Sequence, residues 1–356
     1  MKKLSLLLFL LFSLSISYLI YDFSISPNAS LQKESIIDLN PGTSFASMLK
    51  ILKANGIEIP ETEAKISAKI FHFDRKVKAG EYLLTPNLSS LGILKALTSN
   101  KGLQHPLLIK EGHSKWDIAD SWSQASKSFD RTQFLKLIQN PELLSKAKIP
   151  SENEILAFDH LLALDHLKDQ KVSSNFRSLE GYLFPETYNF QKYDSPKVIV
   201  EEMLAQFERR ARPILNQHPW AQSPLGFYRL LTLASIVEKE TGKSDEQPFV
   251  ASVFWNRLNK KMRLQSDPTT IYGLMPNFDG NLKKIHLQTF SIYNTYTIPE
   301  LPVGPICNPG EKALRAVLHP AASEYLYFVG RGDGTHEFAK DYATHNRNVQ
   351  KFQLKK

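Results

Sequence analysis

The chain has 356 residues, of which 42% are hydrophobic and 22% charged. That length allows two domains, and that composition excludes a largely disordered chain. The formal charge of +8 and pI of about 9.2 suit an anionic partner: nucleic acid, an anionic membrane surface or a wall polymer carrying carboxylates.

Lys2 and Lys3 precede an uncharged run from Leu4 to Tyr21, closed by Asp22. At about 1.5 Å per residue this run reaches roughly 27 Å, the thickness of a bilayer core. Residues 1–22 are therefore expected to form a single-pass transmembrane signal-anchor, its N-terminus cytoplasmic by the positive-inside rule. A cleaved signal peptide is the competing reading, but Ser15 to Tyr21 offers no small-x-small cleavage site. Either reading takes the rest of the chain out of the cytoplasm, with the inner (plasma) membrane as a partner, and counts against nucleic acid.

Residues 23–33 read as a linker, and 34–105 as a small domain. Ser35-Ile36-Ile37-Asp38-Leu39 is strand-like and Pro41-Gly42 a turn. Thr43 or Ser44 can cap a helix with Phe45, Met48, Leu49 and Leu52 on one stripe, ended by Asn55-Gly56. A helix near 61–70, a strand at Gly80–Leu84 and a helix near 89–98 follow. The βααβ order resembles the LysM glycan-binding unit. Residues 106–356 read as a larger mixed domain, giving an α+β protein overall. Helices are expected near 114–122, 131–139, 196–211, 224–241 and 248–260, with a helical pattern over 140–175 and a strand at Tyr325–Val329. His160 and His166 are too far apart to share a helix face and read as solvated.

Cys307 is the only cysteine, which excludes an intrachain disulfide; its Gly-Pro-rich loop suggests a passive packed thiol. The helix starting at Ser223-Pro224 carries Leu230, Leu233, Ala234 and Val237 on one face and closes with Glu238-Lys239-Glu240-Thr241, Gly242 being a natural stop. Two glutamates at i and i+2 lie roughly 200° apart, so they cannot share one site. Glu240 continues the apolar stripe while Glu238 is rotated away. A carboxylate on an apolar face has a raised pKa, the condition for a general acid near neutral pH. The alternative is a surface helix end with both glutamates solvated.

Ala234-Ser235-Ile236-Val237-Glu238-Lys239-Glu240-Thr241 closely resembles the signature of the MltG/YceG-like endolytic murein transglycosylase family. The likeness runs through Val253-Phe254-Trp255-Asn256-Arg257-Leu258, Leu264-Gln265-Ser266-Asp267-Pro268-Thr269-Thr270, Tyr293-Asn294-Thr295-Tyr296 and His345-Asn346, and upstream through Glu111-Gly112 and Glu180-Gly181-Tyr182-Leu183-Phe184-Pro185-Glu186. The resemblance implies a glycan lyase in which one carboxylate, Glu240 (Glu238 as fallback), cleaves the MurNAc–GlcNAc bond of nascent peptidoglycan and leaves 1,6-anhydro ends. It further implies an N-terminal anchor, a LysM-like unit, no cofactor, a role in setting glycan strand length, and contact with peptidoglycan synthases.

Asp267 is the leading second carboxylate, with an N-cap role equally open. Glu180, Gln265, Asn294, Asn346 and His336, and the aromatics Tyr188, Tyr272 and Tyr296, are candidate substrate-binding residues, each open to a structural reading. Tyr182, Phe184 and Tyr293 add to the aromatic supply. His286, His319, His336 and His345 show no metal-ligand spacing, so no metal is expected. The competing functions are a non-catalytic peptidoglycan-binding scaffold and a metal-dependent wall hydrolase.

Overall fold

The structure, a computed structural model, describes residues 2–126, 128–158 and 176–354. It divides into two compact units, residues 1–106 with 189–194, and residues 107–188 with 195–356. The expected helical pattern over 140–175 is described as far as residue 158; His160 and His166 lie outside the described residues.

The first unit opens with helix α1 (Lys2–Ser24). Among the described residues, no helix is long and apolar enough to cross a membrane. This overturns the expected transmembrane anchor over 1–22, and with it the single-pass topology, the inner-membrane partnership and the plasma-membrane localisation. Ser13, Ser15 and Ser17 interrupt the apolar run of this helix before Asp22 ends it.

Strands β1 (Ser35–Leu39) and β2 (Gly80–Leu84) pair antiparallel, with Ile37 opposite Tyr82. Period-2 alternation turns Ile37 and Leu39 inward, where both are fully buried. Helix α2 (Phe45–Ala54) is capped by Ser44, whose hydroxyl accepts from the Ser47 N–H; Met48 and Leu52 of its stripe are fully buried, with Phe45 and Leu49 packed beside them. Helices α3 (Glu61–Phe71) and α4 (Ser90–Leu97, capped by Ser89) complete the layer. Phe23, at the end of α1, packs into the same core.

Strands β3 (His105–Leu108) and β4 (Thr187–Phe190) form a second two-stranded sheet.

The second unit is mixed α+β. Its early helices are α5 (Lys115–Ala125), α6 (Arg131–Leu137), α7 (Pro141–Lys146) and α8 (Glu152–Phe158), followed by α9 (Pro196–Arg210) and α10 (Arg212–Leu215). Ser114 and Asp117 form a capping box at the start of α5, satisfying two of its otherwise orphaned donors. At the centre runs α11 (Pro224–Glu240), buried continuously from Phe227 to Val237. It packs against α12 (Gln247–Asn259), α13 (Asp267–Leu274) and α15 (Glu311–Leu318); the short α14 (Lys284–Gln288) packs on α13. Polar Thr232 and Ser235 tolerate this burial because their hydroxyls bond back to the carbonyls of Tyr228 and Thr232.

The expected strand at Tyr325–Val329 is β5 (Tyr327–Gly330). It pairs antiparallel with β6 (His336–Ala339), which the sequence reading missed, and Gly330 faces His336 in the register. Helix α16 (Tyr342–Val349), capped by Asp341, follows the hairpin and packs on it.

Candidate active site

Helix α11 begins where Ser223 accepts from the Gly226 N–H and Pro224 occupies the first turn. It ends at Glu240 because Thr241 is extended (φ −144°, ψ 130°), so the stop is Thr241 rather than Gly242. The Thr241 hydroxyl accepts from Lys243 N at 3.0 Å.

Glu240 is half-buried on the wall of a cleft of about 430 Å³. The Ser266 hydroxyl donates to its Oε1. Burial pushes the Glu240 carboxyl up to about 7; the Ser266 hydrogen bond pulls it down, the Asp267 charge adds to the rise, and Arg257 opposes it. Arg257 and Asp267 also line the cleft, with Leu264, Gln265 and Tyr296 beside them. The hairpin supplies Tyr327, Phe328 and His336, and α16 supplies Tyr342 and His345.

The positions of these groups follow from backbone wiring. Arg257, on α12, donates from Nε to the Leu326 carbonyl and from Nη1 to that of Leu264, both at 2.6 Å. One guanidinium thus ties the approach to β5 to the loop before α13. In that loop Gln265 takes a left-handed conformation (φ 50°), costly for a residue with a Cβ. Ser266 N then donates to Thr295 Oγ1 at 2.9 Å, and the Ser266 hydroxyl is turned to Glu240 instead of capping α13. Ser266, not Asp267, holds the N-cap position. Asp267 Oδ1 accepts from the Tyr296 hydroxyl at 2.6 Å.

Glu238 is partly buried too, on another face of α11, so the reading of both glutamates as solvated does not hold. Its Oε2 accepts from Gly310 N at 3.0 Å, and burial, aided by the charge of Glu111, pushes it up to about 7. The two carboxyls therefore share the same electrostatic character. What separates them is surroundings: Glu240 lines the cleft and Glu238 does not.

Of the other sequence candidates, Gln265, Asp267, Tyr296 and His336 are brought to the cleft. Glu180 is not. It is 2% exposed and accepts from Lys115 N at 2.9 Å, Asn308 Nδ2 at 2.9 Å and the Tyr272 hydroxyl at 2.9 Å. Burial raises its pKa, and Lys115 opposes that rise. Tyr272 is buried in the same network. Tyr188 is buried with its hydroxyl on the Phe184 carbonyl at 2.5 Å. Asn294 is 1% exposed and staples its loop by donating to the carbonyls of His286, Leu287 and Thr289. Asn346 is exposed on α16 and is not part of the cleft lining.

The sequence reading missed Arg257, Ser266, Tyr327 and Tyr342 as cleft residues. Arg257 and Ser266 stood inside quoted motifs, but only the fold reveals which way they face. Among the described residues no cluster of three or more His, Cys, Asp or Glu side chains could hold a metal. Cys307 is fully buried, and burial drives its thiol well above the usual range.

The sequence profile of the YceG-like family matches residues 37–351. The chain belongs to this family, the YceG-like endolytic murein transglycosylases. It is similar to an endolytic murein transglycosylase of Bacillus subtilis (strain 168), at 30% identity over 325 residues covering 89% of this chain and 84% of the relative. An endolytic murein transglycosylase of Streptococcus pneumoniae (strain D39) is 31% identical over 291 residues, covering 77% of this chain and half of that longer relative. In structure, the chain is similar to a YceG-like protein from Listeria monocytogenes: TM-score 0.56, 28% identity, 89% of this chain and 99% of the other covered.

Proposed function

We propose that the chain is a glycan lyase of peptidoglycan in which Glu240 serves as both acid and base. The observation carrying this reading is a carboxyl raised to about 7 on the wall of a cleft lined by polar and aromatic side chains. Protonated Glu240 donates to the glycosidic oxygen between MurNAc and GlcNAc as that bond breaks. The resulting carboxylate then takes the proton of the muramic C6 hydroxyl as its oxygen attacks C1. The product is a 1,6-anhydro end, and the carboxyl is restored. No external nucleophile is needed, which distinguishes the scheme from two-carboxylate glycosidases.

Asp267 contributes negative charge that favours the neutral Glu240 and offsets positive character developing at C1. Gln265, Tyr296 and His336 offer hydrogen bonds to hydroxyl and acetamido groups. The βααβ order of the first unit supports a LysM-like role in holding glycan. The names of the relatives support endolytic cutting, and with it control of strand length.

The test is digestion of purified sacculi with and without chelator, with products identified by mass spectrometry. Anhydromuramic ends insensitive to chelator are expected. Reducing ends, or dependence on metal, would replace the lyase by a hydrolase. Retention on sacculi with no product would leave a binding scaffold.

A further inference from the structure

Glu246 occupies the N-cap position of α12, yet its side chain makes no capping hydrogen bond. It reaches β6 instead. Oε1 accepts the main-chain N–H of His336 at 2.9 Å, and Oε2 lies 2.7 Å from His336 Nδ1. A carboxylate only accepts, so Nδ1 carries the hydrogen of this bond; in the neutral ring Nε2 is then an acceptor. The side chains of His336 and Glu246 are only 14% and 18% exposed, so solvent competes little for the contact. Phe328 meets the imidazole edge-on, with centroids 5.3 Å apart. Across the hairpin stands Gly330, with no side chain to cover the ring, and His336 lines the Glu240 cleft.

We propose that Glu246 is a positioning residue: it holds His336 in the Nδ1–H tautomer so that Nε2 accepts a hydrogen bond from a glycan hydroxyl in the cleft. The proposal rests on the reading of that cleft as a glycan site. It uses the logic of carboxylate–imidazole pairs elsewhere, in which an outer carboxylate fixes which nitrogen faces the ligand. A purely structural alternative is that the pair only fastens the hairpin to α12.

Nitrogen-resolved NMR of the histidine rings decides the first half. The parent is expected to show His336 as Nδ1–H, and an Nε2–H ring overturns the proposal. Glu246→Gln retains an acceptor for the main-chain N–H but offers Nδ1 a donor, so the tautomer is expected to invert with the fold intact. Cleavage of sacculi is expected to fall roughly 10–100-fold. His336→Phe, which keeps the aromatic packing and lacks Nε2, is expected to lose the same factor, and the double variant no more. Parental cleavage by His336→Phe, or by an inverted Glu246→Gln, reduces the pair to a fastener. Glu240→Gln serves as the reference. If it is inactive while His336→Phe cleaves normally, only the present inference fails; if it cleaves normally, the reading of the cleft itself fails.

Discussion

The hydroxyl of Ser266, at the head of α13, is bonded to Oε1 of Glu240, the last residue of α11. A donor to a carboxylate stabilises its charged form, so this contact restrains a pKa that burial drives upward. A general acid must enter the reaction protonated. Activity in the parent is therefore expected to fall as pH rises through about 7. Ser266→Ala removes the restraint, and the alkaline limb of kcat/KM against pH is expected to move up by about one unit. An unmoved limb would mean that the hydroxyl does not set the acidity of Glu240.

Glu240→Gln is expected to lower cleavage by roughly 10³-fold while making the protein more stable at alkaline pH. The carboxyl titrates near 7 in the folded chain and near 4.5 when unfolded. Between those values the folded state binds more protons, so stability declines as pH rises through the window and stays reduced above it. Glutamine removes that penalty, worth about 3 kcal/mol at full extent. Melting at pH 8 should show the gain, and melting at pH 4 should show little.

Glu180→Ala is expected to act on stability. Its carboxylate satisfies the Lys115 N–H, the Asn308 amide and the Tyr272 hydroxyl in a fully enclosed setting. Removing it strands three buried donors at a cost of about 3 kcal/mol. Urea denaturation measures this directly. A folded, fully stable variant with raised KM would return Glu180 to the list of substrate contacts.

Cys307 is expected to resist thiol reagents in the native protein. It has no exposed surface, its thiol is hard to ionise, and its sulfur donates to the Ser235 carbonyl at 3.2 Å. Labelling should appear only in denaturant, in step with unfolding. Rapid native labelling would contradict the packing around α11.

Much of the fold was legible because it is locally written. Ser223-Pro224 marked the start of α11 to the residue, Thr43 or Ser44 that of α2, where Ser44 is the cap, and the 3.6-residue stripe identified Met48 and Leu52 as core. The family was also legible, since its motifs are contiguous in the chain and the profile match agrees with them. Long-range relationships were not. Nothing near Glu246 announces a partner ninety residues on, and Glu180 looks like a loop glutamate until Lys115, Tyr272 and Asn308 are folded around it. The stripe argument also understated α11. It assigned one apolar face, whereas Arg229, Thr232 and Ser235 are buried as well, because polar side chains can be satisfied within their own helix or by a partner such as Glu300.

The continuous enclosure of α11 from Phe227 to Val237 bears on how the molecule breathes. A segment with no solvent-facing side lacks a cheap route to fraying from its middle, and its amide hydrogens should exchange with deuterium only when the whole unit opens. Glu240 stands at the margin of that slow-exchanging block, one residue before the chain becomes extended. The carboxyl is thus carried at the end of a buried helix, and local loosening of the hairpin or of α16 would change what surrounds it while that helix stays in place.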